Sequence, residues 1–333
     1  MKFPELLRSR HARARMGVAG ISAASIFLCA VLAGCASTPL AKRATALSSA
    51  LAPVVDQSAA AYRDAVALDN LREDYEAVVA YQKKDATYNP RNVPVLLSEK
   101  DIQTRLAVLG ALQVYSQSLI EITKGADSPE LDAAAKSVGS NLTSLGNNLA
   151  PSIENARGTA ATAASTTNPA LSPEVRNGIS TAVDALGQFL VNRIVEKELP
   201  GKIEEMDPHV QALCIALGDD IKTLQGLELR DYDRILNLEK QFILEDEQFS
   251  KNVDPQQHRA EIMKLPEIAR QQREAGDKLT ALREAIDKLA MAHHTLATDA
   301  QHLNDPETLR KKLAELADAG KNLGKFYSSL PAN

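Results

Sequence analysis

Four side chains towards the C-terminal end of the chain have the types and spacing that could hold a metal ion: His293, His294, Asp299 and His302. Imidazole nitrogen and carboxylate oxygen are ligands for zinc and non-haem iron. His294 and His302 are eight residues apart, close to two helical turns, so a helix would carry both on one face. His294, Asp299 and His302 are the metal candidates of the sequence. His293 belongs to a run of apolar residues at heptad spacing, and a seam histidine with solvated neighbours accounts for the same pattern.

Asp299-x-x-His302 has the spacing of half a carboxylate-bridged di-iron motif. That site needs a Glu-x-x-His on each of two helices and two further carboxylates, and the sequence holds no Glu-x-x-His. Other catalytic signatures are missing too. There is no glycine-rich phosphate loop, no Gly-x-Ser-x-Gly, no His-Glu-x-x-His, and no serine with lysine three residues on. The three cysteines, Cys29, Cys35 and Cys214, form no Cys-x-x-Cys pair and no Cys/His zinc pattern. Cys214 sits in the apolar stretch "HVQALCIALGD", the setting of a buried thiol that packs as a small hydrophobe.

Cys35 has a different setting. Residues 1–16 carry Lys2, Arg8, Arg10, Arg13 and Arg15 against the single acid Glu5, and residues 17–34, "GVAGISAASIFLCAVLAG", carry no charge. A basic segment, an apolar segment and small residues before a boundary make a secretory signal. Leu32-Ala33-Gly34-Cys35 resembles the lipobox of bacterial lipoproteins. The resemblance implies diacylglycerol transfer to the Cys35 sulfur, cleavage after Gly34 and acylation of the new amino terminus. A thiolate is the nucleophile that thioether formation needs, and two or three acyl chains anchor stably where one does not. Ala36 follows Cys35, and the resemblance then implies the periplasmic face of the outer membrane. On this reading residues 1–34 are a cleaved signal peptide, 35–39 a lipid-attached tether and 40–330 the folded domain. The tether, residues 36–39 at about 3.5 Å each, reaches no more than roughly 14 Å.

The whole chain has a formal net charge of −5; without residues 1–34 it has 33 bases and 42 acids, a net of −9. Nucleic acid is therefore not an expected partner, because phosphate recognition needs clustered Lys and Arg. Hydrophobic residues make up 44% of the chain and aromatic residues 4%, with no Trp, so the core is built of Ala, Leu, Val and Ile. That composition favours closely packed helices.

Five Ser-Pro or Asp-Pro pairs mark helix starts: Ser128-Pro129, Ser172-Pro173, Asp207-Pro208, Asp254-Pro255 and Asp305-Pro306. Ser or Asp caps the first amide groups, and Pro tolerates the first helical position. Ser98 with Asp101 marks a sixth. The starts predict helices over about 40–84, 99–124, 129–158, 173–198, 208–250, 255–303 and 306–328. Leu279, Leu282, Ile286, Leu289, His293, Leu296, Ala300 and Leu303 step by alternating threes and fours, a coiled-coil seam. The predicted fold is all-α: an elongated antiparallel bundle of about seven long helices with coiled-coil-like packing. Two long connections interrupt it. Residues 85–98 contain Tyr88, Asn89, Arg91 and Asn92 and form a candidate contact loop. Residues 158–172 form an Ala/Thr-rich excursion. The charge-dense run 228–248 reads as a helix with a solvated acidic face.

The function expected from these features is non-enzymatic. The chain would be an outer-membrane-anchored lipoprotein, serving as a periplasmic helical scaffold or protein-interaction module. Its partners would be the membrane, through the lipid on Cys35, and a cell-envelope protein; no cofactor other than that covalent lipid is expected. The alternative is a lipid- or small-ligand-binding bundle, which a continuous apolar cavity of several hundred Å³ would favour.

Overall fold

Residues 39–85, 88–89, 95–124, 129–164, 171–192, 194, 196–249, 254–302 and 306–329 are described by a computed structural model. Among them the fold is all-α. Seven helices follow in chain order: α1 (Pro39–Gln82), α2 (Glu99–Lys124), α3 (Pro129–Ala164), α4 (Pro173–Val191), α5 (Leu199–Phe249), α6 (Pro255–His302) and α7 (Pro306–Ser329), with one 3₁₀ turn at Glu196–Glu198. Residues 1–38, with the expected signal-cleavage residues Leu32, Ala33 and Gly34 and the expected lipid-attachment residue Cys35, lie outside the described residues.

The helix starts follow the capping chemistry. Ser172 Oγ accepts a hydrogen bond from the Val175 amide at 3.3 Å, and Asp254 Oδ1 accepts one from Gln256 N at 2.9 Å. At the start of α2, Asp101 N donates to Ser98 Oγ at 3.2 Å while Ser98 N donates to Asp101 Oδ2 at 3.1 Å, a reciprocal box.

Helix boundaries differ from the sequence reading in two places. α5 begins at Leu199, not Pro208, and α4 ends at Val191. Pro208 lies inside a helix although it removes an amide donor there. The buried stripe explains it: Leu199, Ile203 and Met206 continue onto Val210 and Leu213, and burying that stripe outweighs the local cost of proline. The second difference is α3, which runs six residues past Gly158 into the Ala/Thr-rich segment, as alanine's helix propensity allows.

Side-chain contacts fix the helix directions. Between α5 and α6, Asp207 meets His293, Gln225 meets Gly276, Gln272 meets Asp233, and Glu239 meets Lys264. The register descends on one helix as it rises on the other, so the pair is an antiparallel hairpin. α1 runs parallel to α5, through Tyr62–Asp220 and Glu76–Arg234, and antiparallel to α6, through Arg43–Asp299 and Asp64–Lys278. α3 and α4 approach so closely at Gly139 that a Cβ there would come within 2.6 Å of the Gly187 carbonyl oxygen.

The main core draws on all seven helices and includes Leu47, Leu109, Leu149, Leu186, Leu213, Leu282 and Leu316. A second, small cluster of Leu68, Ile235 and Ile268, flanked by Tyr75, Tyr232 and Leu236, joins only α1, α5 and α6. These three helices therefore continue past the main core as a three-helix arm.

Candidate functional site

The predicted metal candidates do not converge. His294 Nδ1 lies 2.6 Å from Asp207 Oδ2, whereas Asp299 lies 3.6 Å from the Arg43 guanidinium. Among the described residues no three His, Cys, Asp or Glu side chains are placed to hold one metal ion. The His302 side chain lies outside the described part of the structure.

What the histidines do instead is organise a polar relay that the sequence did not reveal. His293 Nδ1 is 2.9 Å from Asp207 Oδ1, and its Nε2 is 2.9 Å from the Tyr115 hydroxyl. A carboxylate can only accept, so His293 donates through Nδ1, and its Nε2 shares the second hydrogen bond with the Tyr115 hydroxyl. The order Tyr–His–Asp matches a nucleophile, a base and an orienting acid. Burial rules that use out: His293 is 1% and Tyr115 2% exposed, leaving no path for a substrate. Burial, with the Asp207 charge nearby, also holds the Tyr115 phenol far above its ordinary range. The relay is a clamp between α2, α5 and α6.

Burial works to raise the Asp207 pKa, but the hydrogen bonds from His293 and His294 outweigh it and bring it down to about 2. A carboxyl depressed in the folded state stabilises above its unfolded value and loses that contribution as pH falls through its folded value. Asp207 keeps contact with solvent, which screens part of this effect, so Asp207→Asn is expected to lower stability by about 1 kcal/mol at pH 7 and by much less near pH 2. Urea unfolding at the two pH values measures this.

A second buried network lies one level along the bundle. Arg105, fully buried, donates from Nε and Nη2 to Asp220 at 2.7 and 2.9 Å, and from Nη1 to Ser152 Oγ. The Tyr62 hydroxyl donates to the same Asp220 at 2.9 Å, and the guanidinium lies 5.5 Å from the Tyr62 ring centre. Four helices thus meet on one ion pair. α2 has the length and composition of a membrane-crossing helix, yet this buried arginine places it in the bundle's interior.

Of the candidate contact loop, Tyr88 is half-buried and Asn89 exposed, while Arg91 and Asn92 lie outside the described residues. Cys214 is a free, buried thiol, its pKa pushed up to about 12 by burial and by Asp287 and Asp207.

Two surface features stand out among the described residues. The first is an apolar groove of about 730 Å³ between α1 and α7, open along one side, with a floor of Ala46, Ala50, Leu313, Ala314 and Ala317. Lys42, Arg43, Arg310 and Lys321 rim it. The second is the end of the three-helix arm. There Val78 and Tyr81 of α1, Leu244 of α5, and Ile262 and Met263 of α6 are exposed, Tyr81 by 87%. The Glu76–Arg234 and Glu239–Lys264 pairs bring these segments to one end of the bundle.

Comparison with protein-family models, with curated proteins and with solved structures yields no match.

Proposed function

We propose that the chain is a lipid-anchored helical scaffold of the bacterial cell envelope, which presents the end of its three-helix arm to a protein partner. The observation that carries this reading is the set of large apolar side chains left in solvent where the arm ends. Isolated exposed apolar residues are ordinary, but grouped ones mark interaction sites. Tyr and Met are among the residues enriched in the cores of protein interfaces.

The course of α1 supports the same reading. Three residues separate Cys35 from the start of α1 at Pro39, and Tyr81 lies 42 residues further, about 63 Å along the helix. A lipid on Cys35 would tether one end of α1 while the other end carries the apolar side chains. The buried polar networks described above are occupied with packing, which leaves the surface to do the work. The outer membrane and its periplasmic face follow from the lipobox resemblance and Ala36.

The reading is tested by placing a photo-crosslinking amino acid at Tyr81 or Met263 of the full-length chain in cells. A discrete protein adduct is expected, absent from the same probe at exposed Arg270. It is also expected to be lost, together with palmitate labelling, in Cys35→Ala. Adducts that are equally diffuse at all three positions sink the docking role, and palmitate labelling that persists without Cys35 sinks the anchor.

A further inference from the structure

The groove between α1 and α7 has no part in that docking role, and its chemistry points to a ligand. Gly320 packs on Pro53, where a Cβ would come within 2.9 Å of the ring, so the helices close together at this level. α7 runs parallel to α1, because α6 is antiparallel to α1 and α7 returns from it. Gly320 opposite Pro53 then sets Arg310 opposite Arg43. The groove accordingly extends from the level of Lys42 and Arg310 to that of Pro53 and Lys321, eleven residues on each helix, about 16 Å.

Its two ends differ. Lys42, Arg43 and Arg310 line one end, and Lys321 stands alone at the other, where Gly320 packs on Pro53. No lining residue between them is acidic. Asp299 pairs with Arg43 from α6; Lys42 and Arg310 are exposed. In a domain with an excess of acids, an apolar trough with cations at its mouth selects against neutral oils and against cations. It fits an amphiphile with one apolar tail and one anionic head. The length agrees: a bilayer's hydrocarbon core is about 30 Å for two opposed chains, so one acyl chain spans about 15 Å. A volume near 730 Å³ lies within the range of built small-molecule sites.

We propose that this groove binds a single-chain fatty carboxylate, its tail along Ala46, Ala50, Ala314 and Ala317 and its carboxylate among Lys42, Arg43 and Arg310. The alanines make the trough: larger side chains at those four positions would fill it. The lysine and arginine charges hold the head by charge-assisted hydrogen bonds.

A photoreactive C16 carboxylate bearing a diazirine on its chain, irradiated with the full-length chain in envelope membranes and mapped by mass spectrometry, tests the proposal. Adducts are expected on α1 and α7 within residues 42–53 and 310–321. Palmitate should compete them away, and palmitate methyl ester should not. Ala317→Trp, at an exposed position, fills the trough and should reduce labelling to background. Lys42→Glu with Arg310→Glu should reduce it about tenfold, with helical content measured by circular dichroism unchanged for both variants. Adducts spread over other exposed apolar residues and indifferent to Ala317→Trp overturn the proposal. So does equal competition by the methyl ester, which would leave a trough without head-group recognition. Competition by anionic phospholipid vesicles as strong as that by palmitate also overturns it, in favour of a membrane-contact surface.

Discussion

Arg105→Met is expected to destabilise the protein by roughly 3–5 kcal/mol, the range for removing one partner of a buried ion pair. The substituent fills much of the same space, so the loss is electrostatic. Asp220, 3% exposed, keeps only the Tyr62 hydroxyl among the donors found for it, and Ser152 loses the Nη1 bond. Burial works to lower the Arg105 pKa, but Asp220 outweighs it and holds the guanidinium above its ordinary value; the side chain is charged at every accessible pH. A carboxylate stranded in that site takes up a proton or draws in water, and either outcome loosens four helices together. The companion experiment separates charge from shape. Arg105→Met combined with Asp220→Leu and Tyr62→Phe removes the whole polar set, and such replacements are often neutral or stabilising. Urea unfolding of the single and triple variants decides. A single variant within about 1 kcal/mol of wild type would mean that water already solvates Asp220.

How much of this was readable beforehand depends on the residue. Of the seam, Leu279, Leu282, Ile286, Leu289, His293 and Leu296 are buried and Ala300 is half-buried, while Leu303 lies outside the described residues; a strict 3–4 step leaves no other face to bury. Capping at Ser98, Ser172 and Asp254 was equally readable, since a cap is a local contract between residues two or three apart. Asp207-Pro208 was misleading for the same reason: the local pattern is a cap, but the Asp207 carboxylate is taken by histidines 86 and 87 residues away. On α1, Leu47, Leu51, Val54, Ala61, Ala65 and Leu68 form a buried stripe at helical spacing, yet Val78, which extends it, is 46% exposed. The stripe has neighbours to pack on only where other helices reach, and the arm has three helices where the body has seven. Of the candidate metal set, His294 and Asp299 belong to separate contacts, which spacing along one helix could not show. The α1–α7 groove was invisible, since it arises from alanines on two helices more than 250 residues apart in sequence.

The acidic run 228–248 departs most from its sequence reading, and it carries the second large effect. The expected solvated face instead buries Glu228, Asp231 and Glu239 at 5%, 1% and 3% exposure. Asp231 has an answer in Arg72, which also grips Asp69, Glu73 and Glu76, and in Arg230. Glu239 pairs with Lys264. Glu228 is less well served. Burial, with Asp64 and Asp231 nearby, raises its pKa to about 8 although Lys278 pulls the other way. The reason is geometric: the Lys278 ammonium is bonded to Asp64 on α1, so its charge is already shared.

A carboxyl raised in the folded state costs nothing where both states are protonated, below its ordinary value of 4.5. Between there and about 8 the unfolded chain ionises first, and stability falls as pH rises. The wild-type protein should therefore lose on the order of 3 kcal/mol from this group between pH 4.5 and pH 7, with more lost by pH 9. Glu228→Gln keeps the shape and removes the titration. It is expected to unfold with wild type at pH 4.5, to be more stable by on the order of 3 kcal/mol at pH 7, and to pull further ahead at pH 9. The slope is opposite in sign to that of Asp207, whose contribution disappears on the acid side, so the two variants flatten opposite limbs of one stability–pH curve. Urea midpoints for wild type and Glu228→Gln at the three pH values read it directly. A variant no more stable than wild type at pH 9 would show that Glu228 ionises in the folded protein as readily as in the unfolded chain, and that Lys278 serves it as well as Asp64.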